Sequence, residues 1–379
     1  MNRKKVNYGP GRPPGPLNER RINTMALFEL TDYDKFLWET ELKDWLPENI
    51  IDIHTHVWLE SLKDKPKDGP QHFTVSWPSM VAADDSIEDL QETYELMFPG
   101  KKVKALMFTS GGASAANNAY VSESSKKSGF PALYYSHPEE TREQVYSKII
   151  SGGFLGLKSY LDFAPKYIPD DEIRILDFFP PHQLELMNEL GGIVMCHIPR
   201  STRLKDRVNY EQIAMIKEKW PNIRFIVAHI GRAYAHGDIG DAFTRLDQVP
   251  GLKYDFCANC CDYAIEELLK HAGPKNAMFG TDMPILRMRT HRIEENGTYI
   301  NLVEKGLYGD VSGDSHMREV SKEEAEKITF FAYEELLALK RVWTKLGLTK
   351  EDLEDIMFNN AFELIDGASK DIFSKPFIF

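Results

Sequence analysis

The stretch "ENIIDIHTHVWLE" (48–60) decides the fold, because its aliphatic and β-branched residues enclose two histidines one residue apart. A run of this kind predicts a buried strand. Side chains alternate along a strand, so we expect His54 and His56 on one face, with Asp52 on the same face. A buried polar group costs free energy unless a partner satisfies it. The stretch therefore predicts polar partners elsewhere in the chain.

Seven further apolar runs follow, and stretches with helical spacing fill most of the gaps between them. The predicted strands cover 50–56, 104–110, 131–136, 154–160, 192–198, 224–230, 252–258 and 277–282, and helices are predicted at 138–151, 181–190, 210–220 and 264–272. Eight strands that alternate with helices predict an α/β fold of the (β/α)8 TIM barrel type. The alternative is an open doubly wound sheet, which would require a glycine-rich turn where this chain has "THVWLE".

The domain organisation follows from this pattern. An N-terminal arm and helix are expected at 1–48, because glycine and proline are frequent in 1–24 and helical spacing appears at 32–46. The barrel is expected to occupy 49–379, with inserted loops at 57–82 and 283–321. C-terminal helices complete it at 321–365, divided into 321–347 and 349–365, with Ser321 and Thr349 as N-caps. Both insertions follow strands, at the barrel end that carries the chemistry of TIM-barrel enzymes.

Composition excludes several classes of protein. The 379 residues include 42% hydrophobic and 27% charged residues, and the net charge is −12, which argues against a nucleic-acid binder. No apolar run reaches the ~18 residues of a membrane span. The four cysteines include Cys257 and Cys260 in a C-x-x-C pattern, which we interpret as packing residues with reduced thiols in a cytoplasmic protein.

Polar residues stand at the ends of several predicted strands besides the first. In a barrel, these strand ends converge on one opening. Several imidazoles and a carboxylate around one cavity are the nitrogen and oxygen ligands of a borderline divalent metal. The converging set beyond the first strand consists of Lys158, His197, His229 and Asp282.

The motifs "IDIHTH", "VMCHI", "FIVAHIGRAY", "MFGTDMP" and "IMFNNAFEL" resemble the amidohydrolase superfamily over residues 50–365. Within it, the chain is most similar to the amidohydrolase-2 subgroup, which contains the aminocarboxymuconate-semialdehyde decarboxylase-like enzymes. The order His-x-His, His, His, Asp is specific to the superfamily, whereas it says little about the substrate.

The resemblance implies a role for each matching residue. His54, His56, His197 and Asp282 would ligate a divalent metal, most often Zn²⁺. Asp282 would also take a proton from the metal-bound water, and His229 would polarise the substrate carbonyl or stabilise the developing oxyanion. Asp52 would support the ligands from beside them, without binding the metal itself.

Lys158 determines whether one metal or two is expected. In two-metal members of the superfamily a carboxylated lysine bridges the ions, whereas in the nearest subgroup the lysine stays an amine near the substrate. The sequence "GFLGLKSYLDF" favours the amine, and therefore one metal, with Lys158 facing an anionic substrate group. Two arginines, Arg200 and Arg287, are predicted to contact a substrate carboxylate, since guanidinium pairs with carboxylates bidentately.

These observations predict an enzyme, a metal-dependent hydrolase that uses Zn²⁺-activated water on a C–N or C–O bond of a small, anionic, carboxylate-bearing molecule. Metal-dependent non-oxidative decarboxylation of an aromatic or unsaturated carboxylate is the alternative chemistry. A catalytically silent barrel that serves as a binding module is a third possibility. The N-terminal arm, together with the frequent oligomerisation of proteins with this fold, favours a homo-oligomer.

Overall fold

The computed structural model describes residues 26–63, 81–110 and 112–379. The predicted arm and residues 64–80 of the first insertion lie outside these ranges. Eight short strands follow one another along the chain: β1 (Asn49–His56), β2 (Lys102–Phe108), β3 (Tyr134–Tyr135), β4 (Gly156–Ser159), β5 (Ile193–Cys196), β6 (Arg224–Val227), β7 (Lys253–Asp255) and β8 (Ala277–Met278). Each of them overlaps one of the eight predicted strands.

The strands form a closed parallel barrel. β1 pairs with β2, and β3 to β8 make a six-stranded parallel sheet in chain order. Bridges from Met107 to Ala132 and from Thr55 to Met283 join these two sheets at both edges. Aliphatic side chains such as Ile51, Leu106 and Met195 fill the interior. The predicted (β/α)8 barrel is confirmed.

Helices alternate with the strands and bury their apolar faces in a second, larger core. Capping boxes, such as Thr141 with Gln144, satisfy backbone N–H groups at several helix starts. Within the described ranges, every helix is too short or too polar to span a bilayer. Besides the irregular helical turn His229–Arg232, the α-helices are Asp32–Leu37, Ile87–Met97, Ala115–Ser128, Arg142–Gly152, Pro181–Leu190, Arg207–Lys219, Ala242–Leu246, Asp262–His271, Lys322–Ala325, Phe331–Leu346, Lys350–Glu354 and Asn360–Phe373, with π-helical turns at Trp38–Leu42 and Asp355–Asn359.

The C-terminal helices differ from the prediction in their continuity. Ser321 and Thr349 cap helices as predicted, each in a capping box. The helix predicted at 321–347 is wrong at 326–330, where the chain leaves the helix. There the backbone N–H of Thr290 donates to the Thr329 carbonyl at 3.1 Å, and Phe330 bridges to Arg289. This segment therefore pairs with the chain that follows β8.

The second insertion, predicted as a loop at 283–321, contains a small sheet. Its strands are β9 (His291–Glu295), β10 (Thr298–Glu304) and β11 (Met317–Val320), in the order β11-β10-β9. β9 and β10 form an antiparallel hairpin across Asn296 and Gly297. Both turn residues have positive φ, 53° and 75°, as a tight hairpin turn of this type requires. We call this unit the inserted sheet.

Candidate active site

Two histidines of β1 and one aspartate after β8 meet at a single carboxylate oxygen. Nε2 of His56 lies 2.9 Å from Oδ1 of Asp282, and Nε2 of His54 lies 3.4 Å from the same oxygen. All three side chains are buried. Burial raises the pKa of Asp282, but the hydrogen bond to His56 and the neighbouring histidines outweigh it and lower the pKa to about 2. We call His54, His56 and Asp282 the ligand group, because together they could hold a metal ion.

Asp255 at the end of β7 orients the first of these residues, His54. Its Oδ2 lies 3.1 Å from Nδ1 of His54, so the ring keeps Nε2 directed toward Asp282. Its other oxygen accepts the backbone N–H of His229 at 2.7 Å. A carboxylate behind a metal-ligating histidine fixes the ring and raises its basicity. Sequence reasoning assigned no role to Asp255, although its alternation with Cys257 at a strand end was visible.

His229 presents one ring nitrogen to the cavity. Nδ1 lies 3.1 Å from the carbonyl oxygen of Cys257, which makes Nδ1 the donor and leaves Nε2 as an acceptor. Burial lowers the pKa of His229 to about 4, although Asp282 acts in the opposite direction. The ring is therefore neutral near pH 7. Cys257 also contributes its thiol, which donates to Asp255 at 2.9 Å, so it does more than fill space.

His197 lies beside this group rather than in it. Its ring centroid is 5.3 Å from that of His229 and 4.7 Å from that of Tyr160. Its buried Nδ1 has no hydrogen-bond partner among the described residues, and the same holds for Nδ1 of His56. Burial lowers the pKa of His197 well below its usual value, and Arg232 lowers it further. Burial thus favours the neutral imidazole of His197, which is the form that binds a divalent metal.

Lys158 lies on β4 inside the barrel. Its Nζ is 5.2 Å from the centroid of the Phe108 ring, in a cation–π contact. Burial lowers its pKa, whereas Asp282 and other neighbours raise it. The side chain is buried and lines the cavity.

Asp52 does not share a face with the two histidines, and this prediction is wrong. The pairing of β1 with β2 changes register between Asp52 and Thr55, and this bulge reverses the alternation. Ile51 and Ile53 face the barrel interior, whereas Asp52 bonds to Tyr94 on an outer helix at 2.6 Å. Asp52 still supports the site, because it accepts the backbone N–H groups of His54 and Thr281 at 3.0 and 2.9 Å.

The two arginines predicted to bind substrate lie outside the cavity wall that the described residues form. Arg200 donates to the carbonyls of Ile173 and Glu172, both at 3.1 Å. Arg287 donates weakly to Val81 and lies 3.8 Å from Asp85. Both side chains are directed by these partners toward neighbouring loops. Arginines elsewhere in the chain line the cavity in their place, namely Arg203, Arg232 and Arg292.

The cavity above the ligand group has a volume of about 480 Å³. Its wall combines cations with aromatic rings, which suits a small, planar anion. Several residues at its floor have left-handed backbone conformations, including His229, Arg232, Ala258 and Asp282. Such conformations cost about 1–3 kcal/mol each and concentrate at functional sites. The aromatic part of the wall comprises Trp58, Tyr135, Tyr160, Tyr234, Tyr299 and His316.

Comparison with known proteins identifies the family of the chain. A family model described as amidohydrolase matches residues 51–366. No curated protein matches the chain.

Three solved structures to which the chain is similar are described by identity, coverage and TM-score. An amidohydrolase from Burkholderia multivorans with bound HEPES shares 11% identity over 83% of this chain and 98% of its own, with a TM-score of 0.51. A putative 2-pyrone-4,6-dicarboxylic acid hydrolase from Pseudomonas putida shares 14% identity over 85% of this chain and 99% of its own, with a TM-score of 0.50. A dihydroxybenzoic acid decarboxylase from Polaromonas sp. JS666 with bound manganese and 2-nitroresorcinol shares 12% identity over 86% of this chain and 99% of its own, with a TM-score of 0.46.

At these identities the first two structures, whose TM-scores are 0.50 or above, support the barrel fold alone. The family model, in contrast, covers most of the chain, including every residue of the ligand group. The protein is therefore an enzyme of the amidohydrolase family, which comprises metal-dependent hydrolases and decarboxylases.

Proposed function

We propose that this protein is a metal-dependent hydrolase that cleaves a C–O or C–N bond of a small, carboxylate-bearing molecule. The observation that supports it most directly is the convergence of His54 and His56 on Oδ1 of Asp282, beneath a cavity with several cationic side chains. His197 completes the proposed ligand set for one Zn²⁺. When bound, such an ion polarises a substrate oxygen and lowers the pKa of water to ~7.

The protein's own residues would divide the remaining work. Nε2 of His229 is an acceptor, because Nδ1 is engaged by the Cys257 carbonyl, so it can take a proton from the attacking water. The protonated ring can then donate to the developing oxyanion or to the leaving group. Asp282 is ionised and can serve as a second proton acceptor. In this order of events His229 first acts as a base. Only afterwards does it donate to the oxyanion, which is the role that the family resemblance implies.

Lys158 and the cavity arginines would bind the substrate carboxylate. A buried ammonium in contact with the Phe108 ring has little solvent around it, so an anionic group is its natural partner. We propose that Lys158 remains an unmodified amine and that the site holds one metal. An intact mass of the purified protein that includes a carboxyl group on Lys158, together with two metals per chain, would overturn this part of the proposal.

Decarboxylation is the second candidate, since Lys158 and Arg232 could hold a reacting carboxylate close to the ligand group. Oxygen labelling separates the two reactions. Hydrolysis incorporates one solvent oxygen into the product, whereas decarboxylation releases CO₂ and incorporates none. The substrate panel should contain carboxylated lactones, amides, and aromatic or unsaturated carboxylates. The first lactone to test is 2-pyrone-4,6-dicarboxylate, after which the similar Pseudomonas putida hydrolase is named.

The experiment begins with metal analysis of the purified protein and continues with the substrate panel in ¹⁸O-labelled water. We expect one Zn²⁺ per chain, turnover that a chelator abolishes, and labelled product. D282N should lose turnover, while D262N, which changes an exposed aspartate bonded to Arg341, serves as the control. Failure to bind any divalent metal would favour a silent barrel that acts as a binding module. Turnover that survives both chelation and D282N would contradict the metal mechanism.

We also propose a cytoplasmic homo-oligomer. The four cysteines are free thiols, which supports a reducing environment. Light scattering coupled to size-exclusion chromatography tests the oligomeric state. A particle with the mass of one chain at micromolar concentration would contradict it.

A further inference from the structure

The inserted sheet forms one wall of the cavity and brings residues that the barrel itself does not supply. Arg292 is on β9, Tyr299 is on β10, and His316 directly precedes β11. All three side chains line the cavity. A unit attached after β8 therefore lines the same cavity as the ligand group.

Arg292 is held between two aromatic rings. Its guanidinium carbon lies 4.2 Å from the centroid of Tyr299 and 4.3 Å from that of Phe331. His316 stacks on the other face of Tyr299 at 4.3 Å, with an interplanar angle of 12°. A guanidinium fixed in this way loses little conformational entropy when it binds a ligand.

The hydrogen bonds of Arg292 leave its charge uncompensated. Nε donates to Oδ1 of Asn301 at 2.8 Å, and Nη1 donates to the carbonyl of Ala258 at 2.6 Å. Both acceptors are neutral, and Nη2 donates to no described residue. The other cavity arginine near this wall, Arg203, is neutralised by an ion pair with Asp238. Arg292 is half-buried, and a positive charge without a carboxylate partner in such surroundings favours an anionic ligand.

Arg292 is also close to the reacting centre. The Ala258 carbonyl that it contacts follows the Cys257 carbonyl that accepts Nδ1–H of His229. Two consecutive carbonyls of one turn thus hold the proposed base and the guanidinium. An anion bound to Arg292 would therefore lie near His229, in the cavity that both residues line.

We propose that Arg292, aligned by the inserted sheet, binds a second carboxylate of the substrate, remote from the bond that is cleaved. The substrate class is then a small, planar dicarboxylate, with its other carboxylate toward Lys158. This inference rests on the proposed function only in placing the substrate's other carboxylate at Lys158. The aromatic contacts of Arg292 favour a flat substrate over a flexible one.

The test measures binding without turnover, so its outcome is independent of whether hydrolysis occurs. Isophthalate and benzoate are planar probes that differ by one carboxylate, and their affinities for the Zn²⁺-loaded protein can be compared by calorimetry. We expect isophthalate to bind at least about tenfold more tightly than benzoate, as one charge-assisted contact allows. R292M should remove this difference and leave the affinity for benzoate unchanged.

Two further variants secure the result. R292Q keeps a donor for the Ala258 carbonyl but carries no charge, so it tests the proposal if R292M does not fold. R318M removes an arginine of the same sheet that pairs with Glu295 outside the cavity, and should leave both affinities unchanged. Equal affinity of the wild type for both probes, or an isophthalate preference that survives in a folded Arg292 variant, would overturn the proposal. Loss of the preference in R292M without any hydrolysis of the substrate panel would refute the hydrolase function alone.

Discussion

Oδ2 of Asp255 lies 3.1 Å from Nδ1 of His54, and both side chains are fully buried. This contact fixes the ring nitrogen that His54 offers to the site. D255N removes the negative charge and replaces one of the two acceptor oxygens with an NH2 group, which then faces the N–H of either the His54 ring or the His229 backbone. We expect the affinity for Zn²⁺ to fall about 10- to 100-fold, as for other carboxylates behind a metal-ligating histidine. Competition with a chelating dye measures this affinity.

A matched control for D255N is D247N. Asp247 bonds to Nδ1 of His271 at 2.7 Å, so the same kind of pair is altered on the protein surface. D247N should leave the affinity for Zn²⁺ unchanged. If D255N also binds Zn²⁺ as the wild type does, Asp255 is not a support for a metal ligand.

His229 should be separable from the metal ligands by its effect on turnover. H229Q removes the acceptor Nε2, and we expect kcat to fall about 10²- to 10⁴-fold, the usual contribution of a general base. The metal content should stay that of the wild type, because His54, His56 and Asp282 form their group without His229. H236Q, which alters an exposed histidine bonded to Glu294, is the control. Stoichiometric loss of metal in H229Q would instead make His229 a ligand.

The barrel could be predicted from the sequence because its signals are local. Each strand is a short aliphatic run between turn residues, and each run overlaps an observed strand. The ligand group was also predictable, since parallel strands bring their carboxyl ends together whatever the details of packing. Strand order was therefore enough to predict that His54 and His56 lie close to Asp282.

The parts that the sequence did not reveal depend on pairing and on contacts between distant segments. The bulge after Asp52 arises from the register of β1 with β2, which alternation within one strand cannot show. Arg200 and Arg287 were chosen for their position after strand ends, but loop carbonyls and Asp85 engage them. Only one feature of the sequence pointed to the inserted sheet, the dipeptide Asn296-Gly297, which is typical of a tight β-hairpin turn.

Asp52 should be important for folding as well as for the site. It is fully buried and accepts hydrogen bonds from Tyr94, from the His54 backbone, and from both the backbone and the hydroxyl of Thr281. D52A leaves these donors without an acceptor, and we expect a loss of about 3 kcal/mol in the free energy of unfolding. Y94F removes only one partner and should cost about 1 kcal/mol. Urea denaturation of the metal-free protein measures both.

The control for D52A is D84A. Asp84 also accepts a backbone N–H, that of Glu60 at 2.7 Å, but it is exposed, so water can replace its carboxylate. D84A should cost less than about 1 kcal/mol. A D52A variant as stable as D84A would show that the hydrogen bonds of Asp52 do not hold β1 to the chain after β8.

Glu335 should make the stability of the protein depend on pH in an identifiable way. It is fully buried on the helix Phe331–Leu346, its Oε1 has no partner among the described residues, and burial raises its pKa well above the usual value of 4.5. The native state therefore retains a proton that the unfolded chain loses. Stability from this group is complete below pH 4.5 and declines as the pH rises from 4.5 toward the folded pKa.

E335Q is neutral at every pH and should lack this decline. We expect the difference in unfolding free energy between E335Q and the wild type to move in favour of E335Q as the pH rises from 4.5 to 8, and to be constant below 4.5. Urea denaturation at several pH values provides the measurement, with E326Q, which changes an exposed glutamate, as the control. Parallel pH profiles for E335Q and the wild type would mean that Glu335 is ionised in the native state, and that an unrecognised cation or water compensates its burial.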